Sequence, residues 1–250
     1  MRSEIEAQYE LDEIVGESAV LKSVLWQARI AAKSDSAVLL TGERGTGKEL
    51  IARAIHRMGN RRRQSFVKVD CSSVAPARLE AVLFGHDRSR LEAANLGTLL
   101  LKRVESISED FEPKFLQVFE QKEFRRPGNT AIVAADARLI ATLSDGGHRV
   151  EDSWFYRNVS PRLNLAIIRV PALRERRGDI PLLAWYFLRK WARRANKLID
   201  VISPHTMKLL VNYSWPDNVG ELDNLIERSV RSSEGPELSS ETPIEREKRA

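Results

Sequence analysis

The stretch that decides the fold is Gly42-Glu43-Arg44-Gly45-Thr46-Gly47-Lys48-Glu49. It matches the pattern G-x-x-x-x-G-K, whose glycines let the backbone curl until its N–H groups point inward around an anion. The helix that follows such a loop adds its positive N-terminus, and Lys48 can reach the terminal phosphates of a nucleotide. Many loops of this type continue with a Ser or Thr that binds magnesium, whereas this chain continues with Glu49. These eight residues are the predicted nucleotide-binding residues.

The residues on both sides supply the context that this motif requires. Ala37-Val38-Leu39-Leu40-Thr41 precedes the loop and predicts a buried strand, and apolar residues follow at helical spacing between Leu50 and Met58. The same helical face would also fit a glycine-rich turn in front of an ordinary core helix. A strand before the loop and a helix after it favour nucleotide binding over that alternative.

Four further apolar runs predict the other strands of one sheet. They are Phe66-Val67-Lys68-Val69, Thr98-Leu99-Leu100-Leu101, Ala131-Ile132-Val133-Ala134-Ala135 and Leu165-Ala166-Ile167-Ile168-Arg169-Val170. Helical patterns lie between most of them, and strands that alternate with helices are typical of a parallel sheet covered on both faces. The sequence therefore predicts an α/β fold with five parallel strands.

The pattern becomes purely helical after Pro171. Asp179 is positioned to cap one helix, Ser203-Pro204 to open a second and Asn218 to cap a third. From residue 232 onward serine, glutamate, glycine and proline dominate, which is typical of disorder. We divide the chain into an α/β nucleotide-binding domain at 1–171, a small helical domain at 172–231 and a disordered tail at 232–250.

Composition excludes several classes of protein. The 250 residues are 42% hydrophobic and 30% charged, so the chain is neither collagen-like nor wholly disordered. No apolar run approaches the roughly 18 residues that a membrane helix needs, and Met1-Arg2-Ser3-Glu4-Ile5-Glu6 is not a secretory signal. We therefore expect a cytoplasmic protein without a membrane partner, and its net charge of +5 permits a polyanionic ligand.

Cysteine and histidine predict neither a disulfide nor a metal site. Cys71 has no second cysteine to pair with, and its apolar neighbours favour a packed thiol over a reactive one. The four histidines lack metal-ligand spacing.

Short motifs follow one another along most of the chain, in addition to the phosphate loop with its Gly-Lys-Glu ending. They are Ile14-Val15-Gly16-Glu17-Ser18, Glu49-Leu50-Ile51-Ala52-Arg53-Ala54-Ile55-His56, Val69-Asp70-Cys71, Leu83-Phe84-Gly85-His86, Gly97-Thr98-Leu99, Glu123-Phe124-Arg125-Arg126, Arg162-Leu163-Asn164, Leu173-Arg174-Glu175-Arg176-Arg177-Gly178-Asp179-Ile180-Pro181-Leu182-Leu183 and Trp215-Pro216-Asp217-Asn218-Val219. Over about residues 14–231 the chain resembles the central AAA+ domain of sigma-54-dependent transcription activators, the bacterial enhancer-binding proteins.

The resemblance implies a P-loop AAA+ domain with a five-stranded sheet, a helical lid, and ATP or ADP in the cleft between them. In the family, rings of this domain hydrolyse ATP to remodel RNA polymerase that carries sigma-54. Two assemblies remain open for this chain: a homo-oligomeric ring, and a hetero-oligomer with an active family member. Both would act on the transcription machinery.

Two family features that contact the target and the metal differ here. The family's Gly-Ala-Phe-Thr-Gly-Ala loop, which touches the sigma factor, is missing after Phe84-Gly85-His86. The third strand ends Lys102-Arg103 where the family has Asp-Glu, one carboxylate organising magnesium and the other polarising the attacking water. Two positive side chains do neither, so we expect weak or no hydrolysis and leave magnesium open. Glu105 lies nearby, but its register predicts a solvated surface residue.

Other phosphate-facing positions of the family also differ. The sensing asparagine after the fourth strand corresponds to Asp136. Of two arginines that a neighbouring subunit supplies in family rings, one matches Arg162 and the other falls on Tyr156, with Arg157 beside it. The lid arginine after Trp-Pro-x-Asn-Val is Gly220 here. The degenerate positions are thus Lys102, Arg103, Asp136 and Gly220, and Arg162 is the candidate arginine finger.

The reversed charges predict an ion pair. In the sheet order that the resemblance implies, Lys102 and Asp136 end neighbouring strands, and pairing would offset the cost of burying either charge. Lys102 would then fill much of the region where magnesium normally sits, and nucleotide affinity would depend little on magnesium. The alternative is a solvated Lys102 and an Asp136 that caps a backbone turn.

Basic and aromatic clusters have ordinary structural explanations. The basic residues are Arg61-Arg62-Arg63 in a connection and Arg189, Lys190, Arg193, Arg194 and Lys197 on a lid helix. Solvated charge is their commoner role, and no direct DNA binding is expected. Trp185, Phe187, Leu188 and Trp191 on the same helix are expected to pack in the lid core.

The leading hypothesis is an ATP-binding AAA+ domain with weak or no hydrolysis, acting as a regulatory or assembly partner in transcription control. One alternative is an active ATPase that remodels a protein target and uses Asp136 or Glu105 as a substitute carboxylate. Another is a nucleotide-independent interaction module that retains only the fold.

Overall fold

The computed structural model of the chain describes residues 14–85, 89–125, 132–145 and 149–238. Its helices are α1 (Ala19–Ala32), α2 (Lys48–Met58), α3 (Pro76–Phe84), α4 (Arg90–Ala93), α5 (Glu112–Gln121), α6 (Ser160–Arg162), α7 (Ile180–Ala195), α8 (Pro204–Asn212) and α9 (Asn218–Ser232). Its strands are β1 (Val38–Thr41), β2 (Phe66–Asp70), β3 (Thr98–Lys102), β4 (Glu123–Arg125), β5 (Ile132–Ala134), β6 (Arg138–Leu143) and β7 (Ala166–Arg169). The site of the missing Gly-Ala-Phe-Thr-Gly-Ala loop includes 86–88, which lie outside the described residues.

Five strands form one parallel sheet in the order β2-β3-β6-β1-β7. β1 is buried throughout and paired on both sides, with Val38 opposite Ile140 of β6 and Ala166 of β7. Strands buried on both faces have nearly continuous apolar sequences, which is why β1 and β3 could be predicted. The predicted five-stranded α/β fold is confirmed. The residues that follow β1, β3 and β6 lie along the carboxyl edge of the sheet, where ligands bind in such folds.

The fourth strand of this sheet is not the one that the sequence indicates. Within the predicted strand 131–135, the structure has β5, which pairs antiparallel with β4 in a separate two-stranded sheet and is largely exposed. The parallel sheet uses β6 instead, which is buried along its length. A buried Arg138 makes β6 look unlike a core strand, but its guanidinium donates to the carbonyl oxygens of Ala31 (2.6 Å) and Ser36 (3.3 Å).

The described residues divide into two compact units. The first contains 24–42 and 48–170, and the second contains 14–23, 43–47 and 171–238. The second unit differs from the predicted helical domain because it includes most of the phosphate loop and residues 14–23, which reach into the start of α1.

The core of the first unit lies between the sheet and its helices. Its largest fully buried side chains include Phe84, Phe115, Phe124 and Phe155. Cys71 belongs to this core, and burial raises the pKa of its thiol to about 12. The thiol is therefore packed and protonated, as the sequence analysis expects.

The helices α7, α8 and α9 pack around a core of their own in the second unit. Phe187 and Leu188 are buried in it, and Trp185 and Trp191 pack partly buried against it, which confirms their predicted packing role. Ser203 caps α8 as predicted, because its Oγ accepts a hydrogen bond from the Thr206 N–H at 3.2 Å. Among the described helices, none has the length and hydropathy to cross a bilayer.

The ordered chain continues past the point where the sequence predicts a tail. The carbonyl oxygen of Pro236 accepts hydrogen bonds from the N–H groups of Asp200 (3.0 Å) and Val201 (3.1 Å). Leu238 is 2% exposed in the lid core. One apolar residue in a polar stretch was too weak a signal to predict this contact, and the prediction of disorder from 232 is wrong for 232–238. The rest of the predicted tail, 239–250, lies outside the described residues.

Candidate nucleotide-binding site

The phosphate loop needs its glycines both for conformation and for space. Gly45 and Gly47 have φ of +76° and +101°, a region that side-chain-bearing residues rarely adopt. A Cβ on Gly45 would lie 2.0 Å from the carbonyl oxygen of Asp217, and one on Gly42 would lie 2.4 Å from that of Val170. Backbone therefore contacts backbone at both positions, and no larger residue fits there.

Lys48 points back across the loop from the start of α2. Its side chain is buried although it is charged. Its ammonium donates to the carbonyl oxygen of Gly42, with Nζ and O 2.6 Å apart. An ammonium held at the mouth of this loop is placed to donate to the phosphate oxygens of a nucleotide.

Asn218 joins the phosphate loop to the lid within the second unit. Its Oδ1 accepts from the Leu173 N–H at 2.7 Å. Its Nδ2 donates to the Arg44 carbonyl oxygen at 2.8 Å and to Glu43 Oε2 at 3.1 Å. Arg174 holds the same Glu43 carboxylate, with Nη1 and Oε2 2.7 Å apart. The helix α9 begins at Asn218, the residue predicted to cap it. The side-chain amide of this residue, however, forms hydrogen bonds with the phosphate loop.

Two further donors bind carbonyl groups of the loop. Nη2 of the buried Arg176 donates to the Thr46 carbonyl oxygen at 2.9 Å, and the Val219 N–H donates to that of Gly45 at 3.1 Å. These two loop carbonyls are therefore hydrogen-bonded within the second unit.

Gly220 lines a cavity of about 630 Å³ in the second unit. The other lining residues are Arg44, Gly45, Asp217, Glu221, Asn224, Glu227, Arg228 and Arg231. A Cβ built on Gly220 would have Gly45 Cα as its nearest neighbour, at 3.9 Å. There is consequently room for a side chain at this position, and the glycine is not required by packing.

Two cations stand at the end of β3, and both contact carboxylates. Lys102 Nζ lies 2.8 Å from Glu49 Oε2 and 3.7 Å from Asp70 Oδ2. Arg103 Nε donates to Asp70 Oδ1 at 2.9 Å, and the Arg103 N–H donates to Thr142 Oγ1 at 3.1 Å. The two side chains therefore bridge the ends of β2 and β3 to the first turn of α2.

Glu49 lies at the centre of these contacts. Its Oε1 also accepts from Lys68 at 2.9 Å and from Arg53 at 3.1 Å. Partial burial raises the pKa of the Glu49 carboxyl, but the contacts with Lys102, Lys68 and Arg53 outweigh it and lower the pKa from 4.5 to about 2. Glu49 is thus ionised at neutral pH and surrounded by cations.

The predicted ion pair between Lys102 and Asp136 is wrong. Asp136 precedes β6, so it lies at the amino edge of the sheet, whereas Lys102 lies at the carboxyl edge, opposite Thr142. Its Oδ1 contacts Arg61 Nη2 and Lys122 Nζ, both at 3.1 Å. Asp136 therefore occupies neither the predicted sensing position nor a place from which it could substitute for a catalytic carboxylate.

Ser144 and Glu105 meet at the carboxyl edge instead. Ser144 follows β6 directly and takes the position that the sequence analysis gave to Asp136. Its N–H donates to Glu105 Oε2 at 3.2 Å. The Glu105 residue is exposed, as its register predicts, yet partial desolvation raises the pKa of its carboxyl, against the opposing effects of backbone hydrogen bonds and the charge of Lys48. The short turn Val104–Ser106 returns this side chain to the edge, a reversal that the β3 register did not indicate.

The candidate arginine finger lies at the surface of the first unit. Arg162 Nη2 is 3.1 Å from Glu120 Oε1, and its side chain is 54% exposed. Tyr156 packs partly buried against the core, while Arg157 is exposed. The action of Arg162 on a neighbouring subunit stays a prediction.

Several of the basic residues have structural partners. Arg61 Nη2 is 3.1 Å from both Asp35 and Asp136, and its Nη1 donates to the Asp136 carbonyl oxygen at 2.6 Å. Lys197 Nζ donates to three carbonyl oxygens at the end of α9. These contacts support structural roles for both cations rather than nucleic-acid binding.

Comparison with known proteins identifies this architecture. Residues 14–169, more than half of the chain, match the Sigma-54 interaction domain. The chain belongs to the sigma-54 interaction domain family. Residues 174–244 match the AAA+ ATPase lid domain, so this sigma-54 interaction domain is followed by the lid that the motifs indicate. The resemblance inferred from the sequence is confirmed.

Relatives of this sigma-54 interaction domain are transcription regulators. It is 43% identical over 246 residues to the formate hydrogenlyase transcriptional activator FhlA of Escherichia coli and 40% identical over 241 residues to the activator HyfR of the same species. The matches cover 94% and 92% of the chain but 36% of each relative, so the chain spans about a third of their length.

Solved structures of NtrX from Brucella abortus share the fold. The complex with ADP has a TM-score of 0.83 at 30% identity and covers 96% of this chain and 58% of that one. The complex with ATP has a TM-score of 0.80 at 33% identity and covers 88% and 52%.

Proposed function

We propose that this sigma-54 interaction domain binds ATP or ADP, hydrolyses ATP weakly or not at all, and acts as a regulatory or assembly partner in transcription control. One contrast carries the proposal. The phosphate loop keeps its glycines and Lys48, whereas Lys102 and Arg103 at the end of β3 contact carboxylates. The ADP and ATP complexes of NtrX support the choice of nucleotide.

Loss of hydrolysis follows from the chemistry of the β3 end. The ATP reaction needs a group that orients and polarises the attacking water and a cation held by carboxylate or hydroxyl ligands. Neither Lys102 nor Arg103 has a lone pair to offer when charged. A subunit that binds nucleotide without cleaving it would hold one state, and could do so in a homo-oligomeric ring, with Arg162 facing the neighbouring site, or in a hetero-oligomer with an active family member.

Calorimetric titration with ATP and ADP, together with phosphate-release assays, tests this function. We expect Lys48→Ala to weaken binding at least about 100-fold, which corresponds to roughly 2.7 kcal/mol. Lys33→Ala, which removes an exposed lysine of the first unit, is the matched control and should bind as the wild type does. If wild type and Lys48→Ala fail equally to bind, the nucleotide-independent interaction module is the better description.

The position of Glu105 favours one second candidate, an active ATPase. Its carboxylate is at the carboxyl edge beside Ser144, and its raised pKa suits a group that accepts a proton. Turnover above about 1 s⁻¹, the low end of ordinary enzymes, that is lost in Glu105→Gln would favour this alternative. With weak or no hydrolysis, phosphate release should stay below that rate in both proteins.

A further inference from the structure

A magnesium ion does not fit where P-loop chemistry would place it. That ion is held by the hydroxyl that follows the loop lysine and by an aspartate near the end of a neighbouring strand. The corresponding residues here are Glu49 and Lys102, and Lys102 Nζ is 2.8 Å from Glu49 Oε2. An ammonium has three donors and no acceptor. Among the described residues, moreover, no group of three or more His, Cys, Asp or Glu side chains could hold a metal ion.

The nearby carboxylates are already engaged by side-chain cations. Glu49 accepts from Lys102, Lys68 and Arg53, and Asp70 contacts Arg103 and, at 3.7 Å, Lys102. A metal that took either carboxylate would have to displace at least one of these cations. The low pKa of Glu49 shows how strongly this arrangement favours the ionised carboxylate as it stands.

The net charge of the side-chain cluster around Glu49 and Asp70 equals that of a magnesium ion. Four cationic side chains and two carboxylates meet there, which leaves a net charge of +2. The cations are Arg53, Lys68, Lys102 and Arg103, and the carboxylates are Glu49 and Asp70. Glu49 directly follows Lys48 in the first turn of α2, and a helix N-terminus preceded by a glycine-rich loop is where phosphates bind. The excess positive charge therefore lies beside the phosphate site.

We propose that the Lys102 ammonium, held by Glu49 and Asp70, replaces magnesium beside the nucleotide phosphates, so that ATP and ADP bind equally well with and without the metal. This inference rests on the nucleotide binding proposed above. It assigns Lys102 two roles, which are to position the nucleotide phosphates and to neutralise their charge. Neither role requires hydrolysis. Arg103 is the closer partner of Asp70. The Lys102 ammonium would therefore be shared between Glu49 and the phosphates.

The test is ATP titration of the full chain in millimolar magnesium and in excess EDTA. For the wild type we expect dissociation constants that agree within about twofold, a difference of roughly 0.4 kcal/mol. Lys102→Met should weaken binding about tenfold in both buffers, and Lys102→Arg should restore it, because the charge returns. The control is Lys114→Met: that lysine is also 27% exposed and pairs with Glu80, and its loss should change nothing.

A gain of metal dependence provides the converse test. The double variant Lys102→Asp, Arg103→Glu offers carboxylates to a metal and should bind ATP at least about tenfold more tightly with magnesium than in EDTA. The proposal is overturned if the wild type itself shows that tenfold preference for magnesium, or if Lys102→Met binds as tightly as the wild type. Lack of binding in both buffers would instead refute nucleotide binding itself, and this proposal with it.

Discussion

The phosphate loop and the end of β3 use different parts of the chain for their chemistry. The loop depends on backbone: three glycines, N–H groups, and carbonyls satisfied by Asn218, Arg176 and Val219. The end of β3 depends on side chains, and two substitutions reverse its charge from that of a metal site. Under the proposed function, binding and hydrolysis are separable, because a backbone cradle is insensitive to the side-chain changes that remove a metal ligand.

The largest expected effect comes from breaking the backbone part. Gly45→Ala would place a Cβ 2.0 Å from the Asp217 carbonyl oxygen at a φ of +76°. We expect a loss of about 3–4 kcal/mol in unfolding free energy of the lid and loss of nucleotide binding. Gly178→Ala is the control, since a Cβ there has no neighbour within 4 Å. Urea unfolding measures the free energy of unfolding of both variants. Equal stability of the two would contradict the tight contact.

Asn218→Ala should have the next largest effect. It removes the donor to Arg44 and Glu43 and the acceptor for the Leu173 N–H while leaving those groups in place. A cost of about 2–3 kcal/mol is expected, because a buried backbone N–H is left unsatisfied. Asn212→Ala, which loses one exposed bond within α8, should change stability by less than about 0.5 kcal/mol. Thermal unfolding of both variants measures the difference, and an equal cost would contradict the role of Asn218 in joining the phosphate loop to the lid.

Unfolding at low pH tests the side-chain contacts at the end of β3. Because the folded pKa of Glu49, about 2, lies below its ordinary 4.5, its stabilisation is present above pH 4.5 and lost as the pH falls towards 2. The free energy of unfolding of the wild type should exceed that of Glu49→Gln by roughly 1–2 kcal/mol at about pH 7. The difference should vanish as the pH approaches the folded pKa of about 2. Glu227→Gln, which breaks an i,i+4 pair with Arg231, should cost a few tenths of a kcal/mol. A pH-independent difference for Glu49 would argue against the cation cluster.

Gly220→Ala should have the smallest effect and should be favourable. The position is helical and has room for a Cβ, so the substitution should stabilise the lid by up to about 1 kcal/mol. Nucleotide affinity should not fall. A destabilised Gly220→Ala would mean that α9 and the loop are packed more closely than their 3.9 Å approach indicates.

The sequence predicted what local patterns determine. β1 and the loop after it follow from an apolar run, glycines and a lysine, all within twelve residues. β6 was missed because the apolar run at 131–135 already matched a strand pattern, whereas β6 begins with Arg138, and nothing local shows that the carbonyls of Ala31 and Ser36 would satisfy its guanidinium. That one error moved Asp136 to the wrong edge of the sheet and produced the wrong partner for Lys102. The placement of Glu105 at the carboxyl edge could not be predicted for a related reason, since a turn after β3 decides where its carboxylate lies.

The buried Cys71 makes the wild-type chain a convenient background for fluorescence work. Thiol-directed dyes react with the thiolate, and a thiol with a pKa of about 12 in a closed core presents almost none at neutral pH. Cys71 is the one cysteine of the sequence, so a cysteine introduced at an exposed site such as Lys33 would carry the label by itself. With a second cysteine introduced at an exposed site of the lid, the distance between the two dyes could follow the lid during nucleotide titration without replacing any native residue of the core.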